Sequence, residues 1–171
     1  MSTNEDSQIN NKSKRKYKLD DIDIAILNNL QQNARISNID LANTVGISAS
    51  PCLRRVKNLI DSNIIENFKT TLNKNYFGYN LTIFASITID KVTDEVKSLI
   101  EKELSLIDQI QEVYNLHTET DYLIKIIAKD ITDYKSIIHD KISTKIPNIK
   151  SIRTTQIKQI IKQDNSLKLN I

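Results

Sequence analysis

The stretch SNIDLANTVGISASPCLRRVKNLI, residues 37–60, has the pattern of two short helices joined by a tight turn. Ser37 and Asp40 have the spacing of a capping box, which satisfies free backbone N–H groups where a helix begins. Gly46 stands where a helix C-terminus favours a left-handed residue, and Ser48 can cap the next helix. This spacing predicts a helix-turn-helix.

The second helix of this stretch has an apolar side and a polar side at about 100° per residue. The apolar side contains Cys52, Leu53, Val56, Leu59 and Ile60. The polar side contains Ala49, Ser50, Arg54, Lys57 and Asn58, with Pro51 and Arg55 at one edge. Small residues at the helix start allow close approach to a DNA groove, and Arg or Lys further along reach base edges or phosphates. The same charges also fit an ordinary solvated face, but the helix-turn-helix context favours DNA.

Two side chains of this helix, Arg55 and Cys52, are interpreted as structural. The helix that precedes residues 37–60 is interpreted as structural too. Arg55 can pair with an acid of the preceding helix, and Cys52 is interpreted as a small buried hydrophobe rather than a nucleophile. Asp20 can cap that preceding helix. Its apolar stripe is Ile22, Ile26, Leu27 and Leu30.

Composition limits the class of protein but does not identify a partner. The net charge of the 171 residues is only +3, so a nucleic-acid partner must be argued from where the charges lie. Residues 12–18 hold five basic residues, which fits either a solvated tail or an arm that contacts phosphates. A single cysteine excludes an intramolecular disulfide and fits a reducing compartment, so we predict a cytoplasmic protein. No apolar run is long enough for a membrane span.

The second half of the chain alternates strand and helix patterns. Strand patterns cover residues 81–90, 110–117, 121–128 and 149–162, and helix patterns cover residues 94–106 and 132–145. The order βαββαβ predicts a ferredoxin-like sandwich with both helices on one face of the sheet, so the fold class is α+β. The open face needs a cover, and a second copy of the domain is the economical one.

These patterns predict four segments. They are a flexible basic arm (1–17), a winged helix-turn-helix domain (18–72) with a wing strand at residues 64–72, a linker (73–80) and a ferredoxin-like domain (81–171).

No catalytic constellation is visible in the sequence. His117 and His139 are isolated, and the chain has neither a phosphate-binding loop nor metal-ligand spacing. Glu119 and Asp121 form a carboxylate pair that fits a turn. We therefore predict no enzyme activity, no cofactor and no metal.

Several segments together closely resemble the leucine-responsive/asparagine regulator (Lrp/AsnC) family. They are LDDIDIAIL (19–27), NARIS (33–37), LANTVGISASPCLRRVKNL (41–59), II (64–65), TDYLIKI (120–126), KIPNI (145–149) and RTTQI (153–157). The resemblance covers roughly residues 17 to 171, and the S-x-S-P-C-L-R-R-V stretch is its most specific part.

The resemblance implies a transcriptional regulator that binds double-stranded DNA. It also implies a C-terminal domain that dimerises, assembles further, often to octamers, and in many members binds an amino-acid effector. Its recognition helix would start at Ser48. The DNA-binding set that follows is Ser37, Ser48, Ala49, Ser50, Pro51, Arg54, Arg55, Lys57 and Asn58.

One departure from the family pattern concerns the effector. The family usually has Gly-x-x-Asp between the second and third strands, whereas here Thr118 replaces the glycine and Asp121 is kept. Family glycines are elsewhere replaced by Asn63 and Asn148, which tolerate a positive φ better than Thr does. The effector-binding candidates from the resemblance are Thr118, Asp121, Thr155, Gln156 and Ile157, and we expect weak or no amino-acid binding.

Two alternative functions remain open at this point. The first is an enzyme resembling sirohaem (tetrapyrrole) decarboxylases, which share this architecture, although the recognition helix keeps the S-x-S-P-C-L-R-R-V pattern, which favours DNA binding. The second is an effector-independent protein that organises DNA through its oligomer.

Overall fold

The computed structural model describes residues 17–118 and 121–169, which fall into two compact units. The N-terminal unit contains residues 17–70 and the C-terminal tail, residues 164–169. The C-terminal unit contains residues 71–118 and 121–163. This division differs from the sequence boundaries, because the tail groups with the N-terminal unit and not with residues 81–163. Of the predicted basic arm, only Tyr17 lies within the described residues.

The described residues of the N-terminal unit form three helices. They are α1 (Asp21–Gln32), α2 (Asn38–Val45) and α3 (Ala49–Asp61). Asp20 caps α1 in a reciprocal capping box, in which its carboxylate accepts from the Asp23 N–H and the Asp23 carboxylate accepts from the Asp20 N–H. The Ser37 hydroxyl accepts from the Asp40 N–H and caps α2. Both predicted helix starts are confirmed.

The turn between α2 and α3 has the tight geometry that is expected of a helix-turn-helix. Gly46 ends α2 with a φ of 74°, and the Ile47 N–H then donates to the Ala42 carbonyl at 3.0 Å. Ser48 occupies the N-cap position of α3, but its side chain makes no capping hydrogen bond. The helix-turn-helix is therefore confirmed, while the expected cap from Ser48 is correct in position only.

The core of the N-terminal unit lies where the three helices meet. Its buried members are Ile26, Leu27, Leu41, Ala42, Cys52 and Leu59. The prediction that Leu53 and Ile60 belong to this apolar side is wrong, because their side chains are 60% and 44% exposed. Both lie roughly 90–110° around α3 from the direction shared by Cys52 and Leu59. Leu53 instead lines a shallow groove with Leu30 and Phe68.

The predicted wing strand at residues 64–72 is wrong, since this part of the described chain has no strand. All four strands that the structure describes belong to the C-terminal unit. A strand needs a partner to pair its backbone groups, and the N-terminal unit offers none to this segment. Ile64 and Ile65 pack against the helical core instead.

The C-terminal unit has the predicted βαββαβ order. Its elements are β1 (Leu81–Ile89), α4 (Asp94–Ser105), β2 (Ile110–Asn115), β3 (Asp121–Ala128), α5 (Ile131–Ser136) with a π-helical continuation (Ile137–Ser143), and β4 (Ile149–Gln156). The sheet order is β2-β3-β1-β4, with each neighbouring pair antiparallel. The ferredoxin-like sandwich and the α+β class are confirmed.

Strand β4 ends at Gln156 and does not reach residue 162 as predicted. Gln156 pairs with Ile83, and the Ile157 N–H still donates to the Thr82 carbonyl at 2.8 Å. Because β1 begins at Leu81, β4 has no further partner beyond this point.

The two faces of the sheet have different surroundings. One face packs under the helices, where Ile87, Ile124, Ile100 and Leu104 are fully buried. The opposite face carries Phe84, Leu123 and Ile127, which are half-buried, and Tyr114, which is 48% exposed. Among the described residues, no helix is long and apolar enough to cross a membrane.

Candidate nucleic-acid interface

The candidate DNA-reading surface is the polar side of α3. Ser50, Arg54, Lys57 and Asn58 are all exposed there, while Cys52 and Leu59 on the opposite side are fully buried. Burial raises the pKa of the Cys52 thiol, which keeps it protonated and unreactive as a nucleophile. The helix therefore presents two hydroxyl or amide groups and two cations on one accessible side.

The start of α3 is held by a side chain that the sequence reasoning missed. The Asn38 amide Nδ2 donates to the Ala49 carbonyl at 2.8 Å, which joins the first turn of α2 to the first residue of α3. Ser37 and Ser48 are exposed at the two helix starts, whereas Ala49 and Pro51 are half-buried. The exposed N-terminus of α3 is therefore fixed relative to α2.

Arg55 is held by two carboxylates at the start of α1. Its Nη1 lies 2.8 Å from Asp20 Oδ2 and 2.8 Å from Asp23 Oδ1. The Asp23 side chain is only 1% exposed, and that of Arg55 is 27% exposed. The hydrogen bonds to Asp23 and Asp20 raise the pKa of the guanidinium above its usual value. This arrangement agrees with the structural interpretation of Arg55, because it ties α3 to the first turn of α1.

Tyr17 is a further member of this cluster. Its hydroxyl donates to Asp23 Oδ2 at 3.2 Å, and burial together with the Asp23 carboxylate raises the pKa of the phenol. Sequence reasoning missed Tyr17 and the burial of Asp23. The Asp20-x-x-Asp23 spacing resembles a capping box and was the available signal for the carboxylate pair.

The effector candidates at the β2–β3 turn are already hydrogen-bonded to each other. The Thr118 hydroxyl donates to Asp121 Oδ2 at 2.6 Å and lowers the pKa of that carboxyl. Among the described residues, the positive-φ positions outside glycine are Asn63 and Asn148, so Thr118 does not take the left-handed conformation. The side chain of Thr118 thus occupies one oxygen of Asp121.

The other effector candidates lie at the far end of the sheet. Asp121 pairs with Thr88 of β1, whereas Thr155 of β4 pairs with Phe84. These two positions of β1 are four residue steps apart, or roughly 13 Å along the strand. Gln156 and Ile157 lie further still in the same direction. Within one chain, the candidates at the β2–β3 turn therefore do not lie next to the candidates at the end of β4.

Metal-ligating side chains are not clustered in the described parts of the chain. Within them, no cluster of three or more His, Cys, Asp or Glu side chains could hold a metal ion. His117 is exposed, and His139 Nδ1 lies 3.0 Å from the carboxylate of its neighbour Asp140.

A helix-turn-helix with an exposed polar recognition side, joined to a separate βαββαβ unit, defines a two-domain DNA-binding regulator. Residues 19–66 match the family model for a winged helix-turn-helix DNA-binding domain. Residues 82–167 match the model for the Lrp/AsnC ligand-binding domain. The chain belongs to the Lrp/AsnC family of transcriptional regulators.

Two named relatives are similar in sequence to this protein over nearly the whole chain. The transcriptional regulator AzlB of Bacillus subtilis is 34% identical over 152 residues, which cover 89% of this chain and 96% of the relative. The leucine-responsive regulatory protein of Haemophilus influenzae is also 34% identical, over 91% of this chain and 93% of its own length.

Superposition on solved structures also agrees with the Lrp/AsnC family. A transcriptional regulator from Neisseria meningitidis in complex with L-Met superposes with a TM-score of 0.83 at 28% identity, covering 90% of this chain and 98% of that one. Escherichia coli AsnC superposes with a TM-score of 0.78 at 25% identity, covering 88% and 99%.

Proposed function

We propose that this regulator reads operator DNA through the exposed side of α3, with Ser50, Arg54, Lys57 and Asn58 in the major groove. The observation that carries the proposal is the position of these four exposed polar side chains on the side of α3 opposite the fully buried Cys52 and Leu59. Arg and Lys there can contact guanine edges or phosphates, and Asn can pair with adenine.

The remaining predicted residues have supporting roles in this proposal. Ser37, Ser48, Ala49 and Pro51 lie at the helix starts, where backbone N–H groups and hydroxyls favour phosphate oxygens. Arg55 is a positioning residue that acts through α3, because its guanidinium is engaged by Asp20 and Asp23. The basic residues at positions 12–18 would add phosphate contacts that do not depend on sequence.

The regulator acts as a homo-oligomer in this proposal. The half-buried Phe84, Leu123 and Ile127 form an apolar patch on the open sheet face, which suits a second copy of the same unit. A two-fold dimer carries two N-terminal units and should prefer pseudo-palindromic operators. We propose further assembly to octamers, which is the family pattern. We also assign the regulator to the cytoplasm. The proposal assigns no catalytic step to the chain.

Effector control is weak in this proposal. The Thr118 hydroxyl, which donates to Asp121 Oδ2, would compete with a ligand ammonium group for that carboxylate oxygen. Weak control favours the effector-independent variant of the function, in which the oligomer also organises DNA.

In-vitro selection of bound DNA by the full chain, followed by affinity measurements across salt concentrations, tests the proposal. We expect enriched sites with two-fold symmetry and half-sites about one helical turn apart. The logarithm of affinity should fall linearly with the logarithm of salt concentration. Selection that returns no enriched sequence would contradict specific reading by α3.

A further inference from the structure

The last turn of α1 holds the C-terminal tail through a single side chain. The Gln31 amide Nε2 donates to the Leu167 carbonyl at 3.2 Å, and Gln31 Oε1 accepts from the Leu167 N–H at 2.6 Å. One side-chain amide therefore satisfies both backbone groups of one residue, as a neighbouring β-strand would. The Asn and Gln side chains carry an N–H donor and a carbonyl acceptor side by side on one amide, which suits this pairing.

The attachment is made by the backbone of Leu167 and not by its side chain, which is 69% exposed. Two further features shape the tail beside it. The Ser166 N–H donates to Asp164 Oδ1 at 2.9 Å, which forms a local turn. Leu169 is half-buried and packs against the core of the N-terminal unit. The tail is thus anchored at two points, although it follows β4 of the other unit in the chain.

Because the anchored tail follows the C-terminal unit in the chain, the two units are connected by two segments. Residues 71–163 separate the two parts of the N-terminal unit, residues 17–70 and 164–169. The N-terminal unit is therefore joined to the C-terminal unit by a segment at each end of the latter. A domain held by two connecting segments explores fewer positions than a domain held by one. The number of connections therefore changes the effective concentration of the domain at a second DNA half-site.

We propose that residues 164–169 are an intramolecular strap, and that the Gln31 side chain is its binding site. The strap restrains the N-terminal unit while an oligomer binds two half-sites, so this part rests on the proposed DNA-binding function. An oligomer with straps in place should discriminate sharply between half-site spacings. An oligomer with released straps should tolerate a wider range of spacings.

Backbone amide hydrogen exchange of the full chain tests the strap without DNA. We expect the Leu167 N–H to exchange about tenfold more slowly than in an unstructured chain, and to lose this protection in Gln31→Glu. That variant keeps the shape of the side chain but replaces the donor by a charged acceptor facing the Leu167 carbonyl. Gln32→Glu, at the next position of α1, adds the same charge at the same helix end and should keep the protection. Unprotected Leu167 in the unmodified chain would overturn the strap.

DNA binding with selected half-sites at varied spacing tests the restraint. Gln31→Glu, and a chain ending at Gln163, should flatten the dependence of affinity on spacing while leaving affinity for a single half-site unchanged. Gln32→Glu should keep the original dependence. A protected Leu167 with the same spacing dependence in all variants would overturn the restraint. Absence of specific DNA binding in every chain, with Leu167 still protected, would refute the proposed function separately.

Discussion

Arg54 and Arg55 are adjacent in the sequence but have different surroundings on α3. One residue of helix corresponds to about 100° of rotation, so neighbours face different directions. Arg54 is exposed on the side proposed to face DNA, whereas Arg55 turns toward the first turn of α1 and meets Asp20 and Asp23. Two chemically identical side chains thus have different proposed roles, reading DNA for Arg54 and positioning α3 for Arg55.

The two arginines should respond oppositely to substitution by alanine. Arg55→Ala leaves the buried Asp23 carboxylate without its cation, and because Arg55 is partly exposed we expect a loss of about 2 kcal/mol in the free energy of unfolding. Arg54→Ala should change stability by less than about 0.5 kcal/mol. It should instead weaken binding to a selected operator by about 1–3 kcal/mol.

Urea denaturation and operator titration of the two variants check this contrast. Equal stability of the Arg55→Ala chain and the unmodified chain would show that the ion pairs contribute nothing to folding. Unchanged operator affinity in Arg54→Ala would remove that residue from the reading surface.

Thr118 is the residue at which we expect effector control to fail. Thr118→Gly removes the hydroxyl that donates to Asp121 and frees one carboxylate oxygen for a ligand ammonium group. Thermal-shift measurements with the individual amino acids should show little response in the unmodified chain and a larger one in the variant. A shift of several degrees in the unmodified chain would contradict this prediction. Thr144→Gly, at an exposed position after the π-helical segment, is a control for the same chemical change.

At the scale of elements, the turn between α2 and α3 depends on the conformation of Gly46. An added Cβ would meet nothing within 4 Å, so the cost of Gly46→Ala comes from the φ of 74° alone. We expect a loss of about 1–2 kcal/mol in the free energy of unfolding. Asn43→Ala, at an exposed position of α2, is the control and should have little effect.

Chemical denaturation of both variants measures the difference. Equal stability of the two variants would mean that the turn relaxes to a negative φ without loss.

Helices and left-handed positions were the elements that sequence reasoning predicted best. Caps at Asp20 and Ser37 and positive φ at Asn63 and Asn148 are local, since each depends on a few neighbouring residues. The wing strand at residues 64–72 and the far end of β4 were predicted wrongly. A strand exists only where another strand offers hydrogen bonds, and the alternation of side chains contains no information about that partner.

At the scale of the whole molecule, the open sheet face should hold the oligomer together. Leu123→Glu places a charge in the middle of the proposed contact, where burial without a partner costs about 3 kcal/mol or more. We expect at least a hundredfold weaker dimer, visible by sedimentation or light scattering. Ser98→Glu adds the same charge at an exposed position of α4 on the other side of the unit and should leave the dimer intact. A Leu123→Glu chain that assembles normally would mean that copies meet elsewhere.

The sequence by itself determined the helix-turn-helix, the βαββαβ order and the family, because these depend on periodicity, capping residues and local motifs. It also suggested a structural pairing for Arg55, although Arg55 stayed in the predicted DNA-binding set. Only the tertiary structure decided which atoms meet across the chain. It paired Arg55 with Asp20 and Asp23, separated Asp121 from Thr155, and attached the C-terminal tail to Gln31. Such contacts join residues that are distant in the chain, and no local pattern records which of them approach.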